Sequence, residues 1–368
     1  MVVYASGLSG QVGTVAEVTY GTPVTVTHFY EFLQESLTFN PNWLDGAGLK
    51  AGQAYNRASR TVQSRFDVTG ELTMEHTSGE AANAVADSMG HWWKFALGST
   101  VTTPTLVLGT AFKQNHTNGS KAGLFQTIQV GRPQISGITV QPHTFTGVKL
   151  IGWEFSCNDN QIAQLKVTAN AQTEQTGGGA PALAAASYPT PNGLFSFANA
   201  TVFNIGGTAS TSAGETTISA GSAVQSRVTG VTITSSTGMK VDRYGLGNAG
   251  LKGEPIENAI PTITGTLTTE YFQRTEFYDV FKAGTTTALQ LDFTKFDGSG
   301  NDANGVAAGP NPYRLSFIFP AIKIKGASVN VTGPDVLPQT VNFQAYDDGS
   351  GTNPVIQVKL VSKESSAI

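Results

Sequence analysis

The sequence predicts a mainly β protein of two tandem β-sandwich or barrel domains, each flanked by one short α-helix. Three observations carry that expectation. Of 368 residues, 42 are Gly and only 13% are charged, while Thr and Ser abound. Such a composition suits pleated surfaces joined by glycine turns. From Arg65 to Glu75 polar and apolar residues alternate, Phe66, Val68, Leu72 and Met74 on one side and Asp67, Thr69, Glu71, Thr73 and Glu75 on the other. Period-two alternation marks a strand with one wet face. Finally, the same ordered set of segments is written twice along the chain, the signature of an internal repeat.

Elements follow in order. The N-terminal stretch Met1 to Gly21 lacks a basic segment leading into an apolar run, so no signal peptide is expected. No apolar run approaches the roughly 20 residues of a membrane span. A strand over Phe32 to Asn40 leads to a long loop, Pro41 to Ser64, and then to the strand Arg65 to His76. Ser78 is placed to cap a helix in which Val85, Met89, Trp92 and Ala96 share one face, with Gly98 as its stop. Ser99 to Gln141 exceeds its counterpart in length and is read as an insertion with extra strands. Thr146 to Ser156 and Ile162 to Ala171 complete the first half.

The Gly/Ala/Pro-rich stretch from Thr173 through Gly193 lacks periodicity and reads as a linker. Domain boundaries are therefore expected at 1–172, 173–194 and 195–368. In the second half come the strand Arg227 to Ser235, the loop Ser236 to Ile260 and the strand Pro261 to Tyr271. A helix over Thr275 to Lys282 stops at Gly284, and strands follow over Tyr313 to Lys325 and Gln339 to Tyr346. In the second strand Thr264, Thr266, Thr268 and Glu270 share a face opposite Ile263 and Leu267.

The repeat rests on ordered pairs. Gly70 in VTGELTME answers Gly265 in ITGTLTTE, and Ala47-Gly48-Leu49-Lys50 answers Ala249-Gly250-Leu251-Lys252. Trp92 to Gly98 answers Tyr278 to Gly284. Phe145, Val148, Lys149, Gly152, Val167 and Ala171 answer Phe319, Ile322, Lys323, Gly326, Val341 and Ala345, all at one spacing.

Catalytic and binding signatures are missing. A lone Cys157 allows no intrachain disulfide and no cysteine zinc site. No two of the five histidines are spaced as a metal pair on a helix. Gly245 to Gly250 fits GxGxxG but follows no clean strand. Asp67, Glu71 and Glu75 read as a solvated strand face, and at least one of Trp92 and Trp93 reads as core rather than as half of a sugar-stacking pair. A formal charge of −4 lacks the basic footprint of a nucleic-acid binder. No enzymatic activity, metal or cofactor is expected.

Glu17 to Thr25 (EVTYGTPVT) and Phe32 to Leu37 resemble the opening of major tail tube proteins of long-tailed bacteriophages, in a duplicated-domain form. Val68 to Gly98, Phe319 to Ile322, Gly333 to Asp335 and Asn342 to Ala345 resemble that family's central and C-terminal segments. The resemblance implies a structural virion protein, made in the host bacterial cytoplasm, whose rings stack into a hollow tube for phage DNA. A duplicated chain would close its ring with three copies in place of six. Implied partners are further copies of itself, a tape measure protein, and tail terminator and tail-tip proteins. DNA would pass without specific binding, and no membrane is involved. Asp67, Thr69, Glu71, Thr73, Glu75, Thr264, Thr266, Thr268 and Glu270 would face the lumen. Ring stacking would fall to Trp43, Leu44, Leu49, Lys50, Tyr55, Arg57, Leu251 and Lys252 in the two long loops. The competing expectation is a tail-surface adhesin recognising host glycans, which would need exposed aromatic clusters.

Overall fold

The computed structural model describes residues 6–81, 89–100, 105–177, 180–189, 193–331 and 333–365. They are mainly β, with two α-helices, α1 (Met89–Leu97) and α2 (Tyr278–Ala283). One antiparallel sheet runs through both halves of the chain. Its strand order is Thr38–Asp45, Thr61–Glu75, Gln164–Ala171, Thr139–Asn158, Val228–Ser236, Thr262–Glu270, Pro338–Ala345 and Tyr313–Gly326. The first half supplies the first four strands and the second half the last four. The halves meet where Gly152–Asn158 pairs with Gly230–Ser236.

The pairing registers of the two halves coincide. Val167 lies opposite Leu72, and Val341 opposite Leu267. Lys149 lies opposite Asn170 and Lys323 opposite Gln344, with a β-bulge in each case just before the repeated glycine, Gly152 or Gly326. The first strand differs by one step: a bulge at Val228/Gly230 makes Ile233 the counterpart of Leu37, one residue from the simple sequence match.

Both long strands bend into a second layer. Phe145/Val148 carries a register break next to Gly147, whose φ of +62° a side chain would resist. Beyond the bend, residues 139–148 pair with Gln126–Gln134, which pairs in turn with Gln11–Ala16. Tyr313–Gly326 pairs in the same manner with Thr286–Lys295, and that strand with Ala200–Ile205. Gln126–Gln134 thus holds the register that Thr286–Lys295 holds in the second half, although it falls within the stretch read as an insertion. Ala111–Asn118, from the same stretch, crosses to the second half and pairs with Gln357–Ser362. A route through these pairings never returns to its start, so the sheets are open and no barrel closes within the described residues of one chain.

The repeated glycines lie at close approaches. A Cβ on Gly70 would come 2.5 Å from the Leu37 Cα, and one on Gly265 would come 2.1 Å from the Phe343 ring. The core is continuous between halves: Trp93 meets Trp153 at 5.2 Å and Phe317 at 5.6 Å, and Phe155 meets Phe293 at 5.5 Å. Trp92 and Trp93 are both fully buried, where helical spacing predicts at least one of them in the core. Ser78 donates to Glu80 and takes a loop conformation. Val85 lies outside the described residues. α2 begins three residues later than expected and ends on Gly284 at φ +62°, the left-handed stop that glycine allows.

Candidate functional site

The site is a surface: one sheet face, two open strand edges and two loops. On the eight-stranded sheet one face is core. Val68, Leu72, Met74, Leu165, Val167 and Ile233 are buried on it. The other face carries Asp67, Thr69, Glu71, Thr73 and Glu75 from one half and Thr264, Thr266, Thr268 and Glu270 from the other. In this second strand Thr264 and Thr268 are exposed and Thr266 and Glu270 half-buried. Short polar bridges knit this face. Asn170 donates to Asp67 at 3.2 Å, Thr168 to Glu71 at 3.4 Å and Thr266 to Asn342 at 3.0 Å. Lys166 offsets Glu154 at 3.4 Å. The result is a hydroxyl-rich, mildly acidic surface with few cations to hold phosphate.

The two loops bearing Ala-Gly-Leu-Lys behave differently. The second folds back on the first half. Lys252, fully buried, pairs with Asp67; Tyr244 donates to the Phe66 carbonyl at 2.6 Å and Phe66 N–H to the Gly250 carbonyl at 3.1 Å. Glu254 accepts from the Gly123 N–H, and Glu257 from the Lys121 N–H. Burial lowers the Lys252 pKa, and its bond to Asp67 works against that shift. Lys252 therefore serves a contact between halves and is not offered to another copy, while Leu251 is half-buried. The first loop stands out. Leu49 is 103% exposed and Tyr55 89%. Lys50 is exposed too, and Arg57 is half-buried. The loop is shorter than the expected Pro41 to Ser64, because strand pairing continues through Asp45 and resumes at Thr61; Trp43 and Leu44 are thus exposed strand residues.

The strand edges differ as well. Val228–Ser236 is covered on both sides, by Thr262–Glu270 and by the long strand of the first half. Its counterpart, residues 34–40, is paired among the described residues on one side only, with Thr61–Glu75. Beside the open side lies a notch lined by Glu35 to Phe39, Arg132, His143 and Glu174. Arg132 grips both Glu35 carboxylate oxygens at 3.0 Å and donates to the Leu37 carbonyl at 2.6 Å. Glu35 in turn accepts the Leu37 N–H at 3.1 Å, and His143 meets Glu174 at 2.7 Å. Glu35 and Arg132 are 97 residues apart, and neither stood out in the sequence; only knowledge of strand neighbours could have joined them.

Among the described residues no cluster of three metal-ligating side chains is present. Cys157 is buried, and burial pushes its thiol up to about 11, far from a reactive thiolate. No helix among the described residues is long and apolar enough to cross a membrane.

A family model described as phage tail tube protein matches residues 7–345, nearly the whole chain. No curated protein matches it.

Proposed function

The chain belongs to the phage tail tube protein family, and from that premise we propose that it is the repeating tube subunit of a virion tail, closing rings of three copies. As a member of that family it is a structural tail component. The observation that carries the finer reading is the coincidence of pairing registers in the two halves, bulge for bulge. It supports an ancient duplication, so that one chain fills two equivalent places around a ring. Four sheet strands per half give about 24 in a trimer. At roughly 4.8 Å per strand and a tilt near 40°, such a ring has a diameter of about 48 Å. Side chains would narrow it to roughly 35–40 Å, enough for duplex DNA.

In this reading the face of Asp67 to Glu75 and Thr264 to Glu270 lines the lumen, and closure of the ring removes the open edges. Sparse acids and hydroxyls let DNA slide because they make few phosphate contacts. Stacking of rings falls to Trp43 and Leu44 at the end of the strand Thr38–Asp45 and to the exposed loop after it as far as Arg57, together with Leu246 of the second loop, which is 106% exposed. Other tail proteins, the tape measure and the terminal and tip proteins, meet this tube along its lumen and at its ends. The adhesin reading has less support, because Trp92, Trp93 and Trp153 are buried and Trp43 is the exposed tryptophan of the four.

Negative-stain microscopy of the purified chain and of virion tails labelled through this chain tests the assignment. Rings or tubes support it. Label confined to fibres or the particle surface contradicts it. Changing Glu71 and Glu75 to Lys, with Asp67 left to its pair with the buried Lys252, is expected to slow DNA ejection more than tube assembly; unchanged ejection removes the lumenal assignment.

A further inference from the structure

The seam between the two halves of one chain supplies a template for the seam between chains. Within the chain, odd-numbered residues of Val228–Ser236 turn their backbone groups toward the long strand. At one end of the seam Asp159 N–H bonds the Thr229 carbonyl, and at the other Thr237 N–H bonds the Ile151 carbonyl. Ile233 opposite Phe155 falls in the same phase. Transferred through the register equivalences, Phe155 corresponds to Val329 and Ile233 to Leu37. The chain runs on past the end of that strand at Gly326 as residues 327–331, which have no strand partner among the described residues. Ala327 to Asn330 alternate as a half-covered strand should, buried, exposed, half-buried and exposed, while Val331 beyond them is 80% exposed.

The open edge is guarded at the point where docking must occur. Leu37 is the residue whose N–H and carbonyl would enter the new ladder, and both are taken by Glu35 and Arg132 of the same chain. The closed seam carries no such charges at the equivalent places. Glu35 corresponds to Val231. Arg132, opposite Gln141, corresponds to Phe293, opposite Leu315; His143, opposite Val130, corresponds to Phe317, opposite Leu291. All three counterparts are buried. One equivalent edge is thus apolar and permanently closed, and the other is charged and latched.

We propose that the edge Gln34–Asn40 receives residues 326–331 of a second copy of this chain, Leu37 opposite Val329, and that Arg132 with Glu35 is a latch that must release Leu37 first. The proposal rests on the ring-forming reading above and adds the register and its control. An unlatched edge would pair with any exposed strand. A bidentate guanidinium–carboxylate clamp holds it shut with directional bonds, yet its Arg132 half is 34% exposed and can swing away. Assembly then requires an incoming strand whose added backbone bonds outweigh the clamp.

Disulfide trapping reads the register. Thr38 and Ser328 form a non-hydrogen-bonded pair in the proposed ladder, with Cα atoms about 4.5 Å apart, close enough for a disulfide. Both are exposed, and the native Cys157 is buried. In assembled particles, Thr38→Cys with Ser328→Cys is expected to cross-link chains into covalent trimers. The shifted pair Thr38→Cys with Asn330→Cys is expected to cross-link far less. Rings that form but cross-link only in the shifted pair, or in neither, overturn the seam and leave the ring reading standing. Chains that never assemble, in virions or alone, overturn the ring reading and the seam with it. The latch is tested separately by the rate of assembly, followed by light scattering. Arg132→Ala and Glu35→Gln are each expected to accelerate nucleation about tenfold, the factor of one charge-assisted bond. Slower assembly in both variants would show these residues to be seam contacts and overturn the latch.

Discussion

The strand Val228–Ser236 is flanked on both sides, while its counterpart 34–40 is flanked on one. The backbones are equivalent and so are the strands behind them. Side chains make the difference. At the closed edge Val231, Phe293 and Phe317 sink into a shared aromatic core. At the open edge Glu35, Arg132 and His143 stand in the same places as a partly buried polar cluster. An edge buried for the life of the protein can be made of core, whereas an edge that must wait for a partner needs groups that keep it soluble and unpaired. The loops repeat the lesson. The second loop is tied down by Lys252 and Asp67, and the first, with the same Ala-Gly-Leu-Lys, has Leu49 in solvent. At the place of Asp67 the second half carries Thr262, so the ion pair itself has no equivalent.

The comparison can be broken most severely by moving the charge to the closed seam. Phe293→Arg would place a cation where the native ring is 1% exposed. An unpaired buried charge added to a lost aromatic should cost about 4 kcal/mol or more, read as a large fall in thermal midpoint. Little change would mean that the closed seam is not the apolar core described here.

Acid should separate the halves next. All five histidines lie in the first half. His76 accepts from the Trp93 indole at 3.0 Å and donates from its other nitrogen to the Thr77 carbonyl, so it is held neutral. Burial lowers its pKa from 6.5 to about 4, and that of His116 to about 3. Both folded values lie below the unfolded value. Their contribution is therefore intact above pH 6.5 and is lost as pH falls toward 4 and then 3. The loss for His76 alone is on the order of 3 kcal/mol. Hydrogen exchange between pH 7 and 4 should show protection lost first around Met89–Leu97 and the His76 strand. Uniform loss over both halves would count against this placement.

Asp67→Ala leaves the Lys252 ammonium buried without its carboxylate. Because Asp67 is itself 44% exposed, the cost should be moderate, about 1–2 kcal/mol. Lys252→Met in the same chain should recover most of it; failure to recover would show that Asp67 acts through another contact. The smallest effect on stability is expected at the open edge, where Arg132→Ala removes a clamp 34% exposed and should cost under about 1 kcal/mol in a denaturant titration.

Much of the frame was legible from residue order. Alternation in Arg65 to Glu75 located a strand and its wet face, and both helices reach their expected glycines. Gly70 and Gly265 advertised the repeat because close packing leaves no room for a side chain at either position. What stayed hidden were consequences of strand neighbours. Lys252 and Asp67 are 185 residues apart, and nothing in a loop sequence says which surface it will cover. A run of extra length likewise conceals which part is added: Gln126–Gln134 is common framework, while Ala111–Asn118 supplies an additional strand to the other half. Register also moved by one residue at the Val228/Gly230 bulge, a local irregularity that composition does not encode.

The central claim is that one chain occupies two equivalent places in a ring, and the stoichiometry of that ring tests it most directly. Native mass measurement of isolated rings, at 38.5 kDa per chain, should give three chains. Image averaging of the same rings should show sixfold pseudosymmetry with an unbroken inner wall. Six chains in a ring of similar diameter would contradict the equivalence of the two halves and the chain-to-chain seam derived from it.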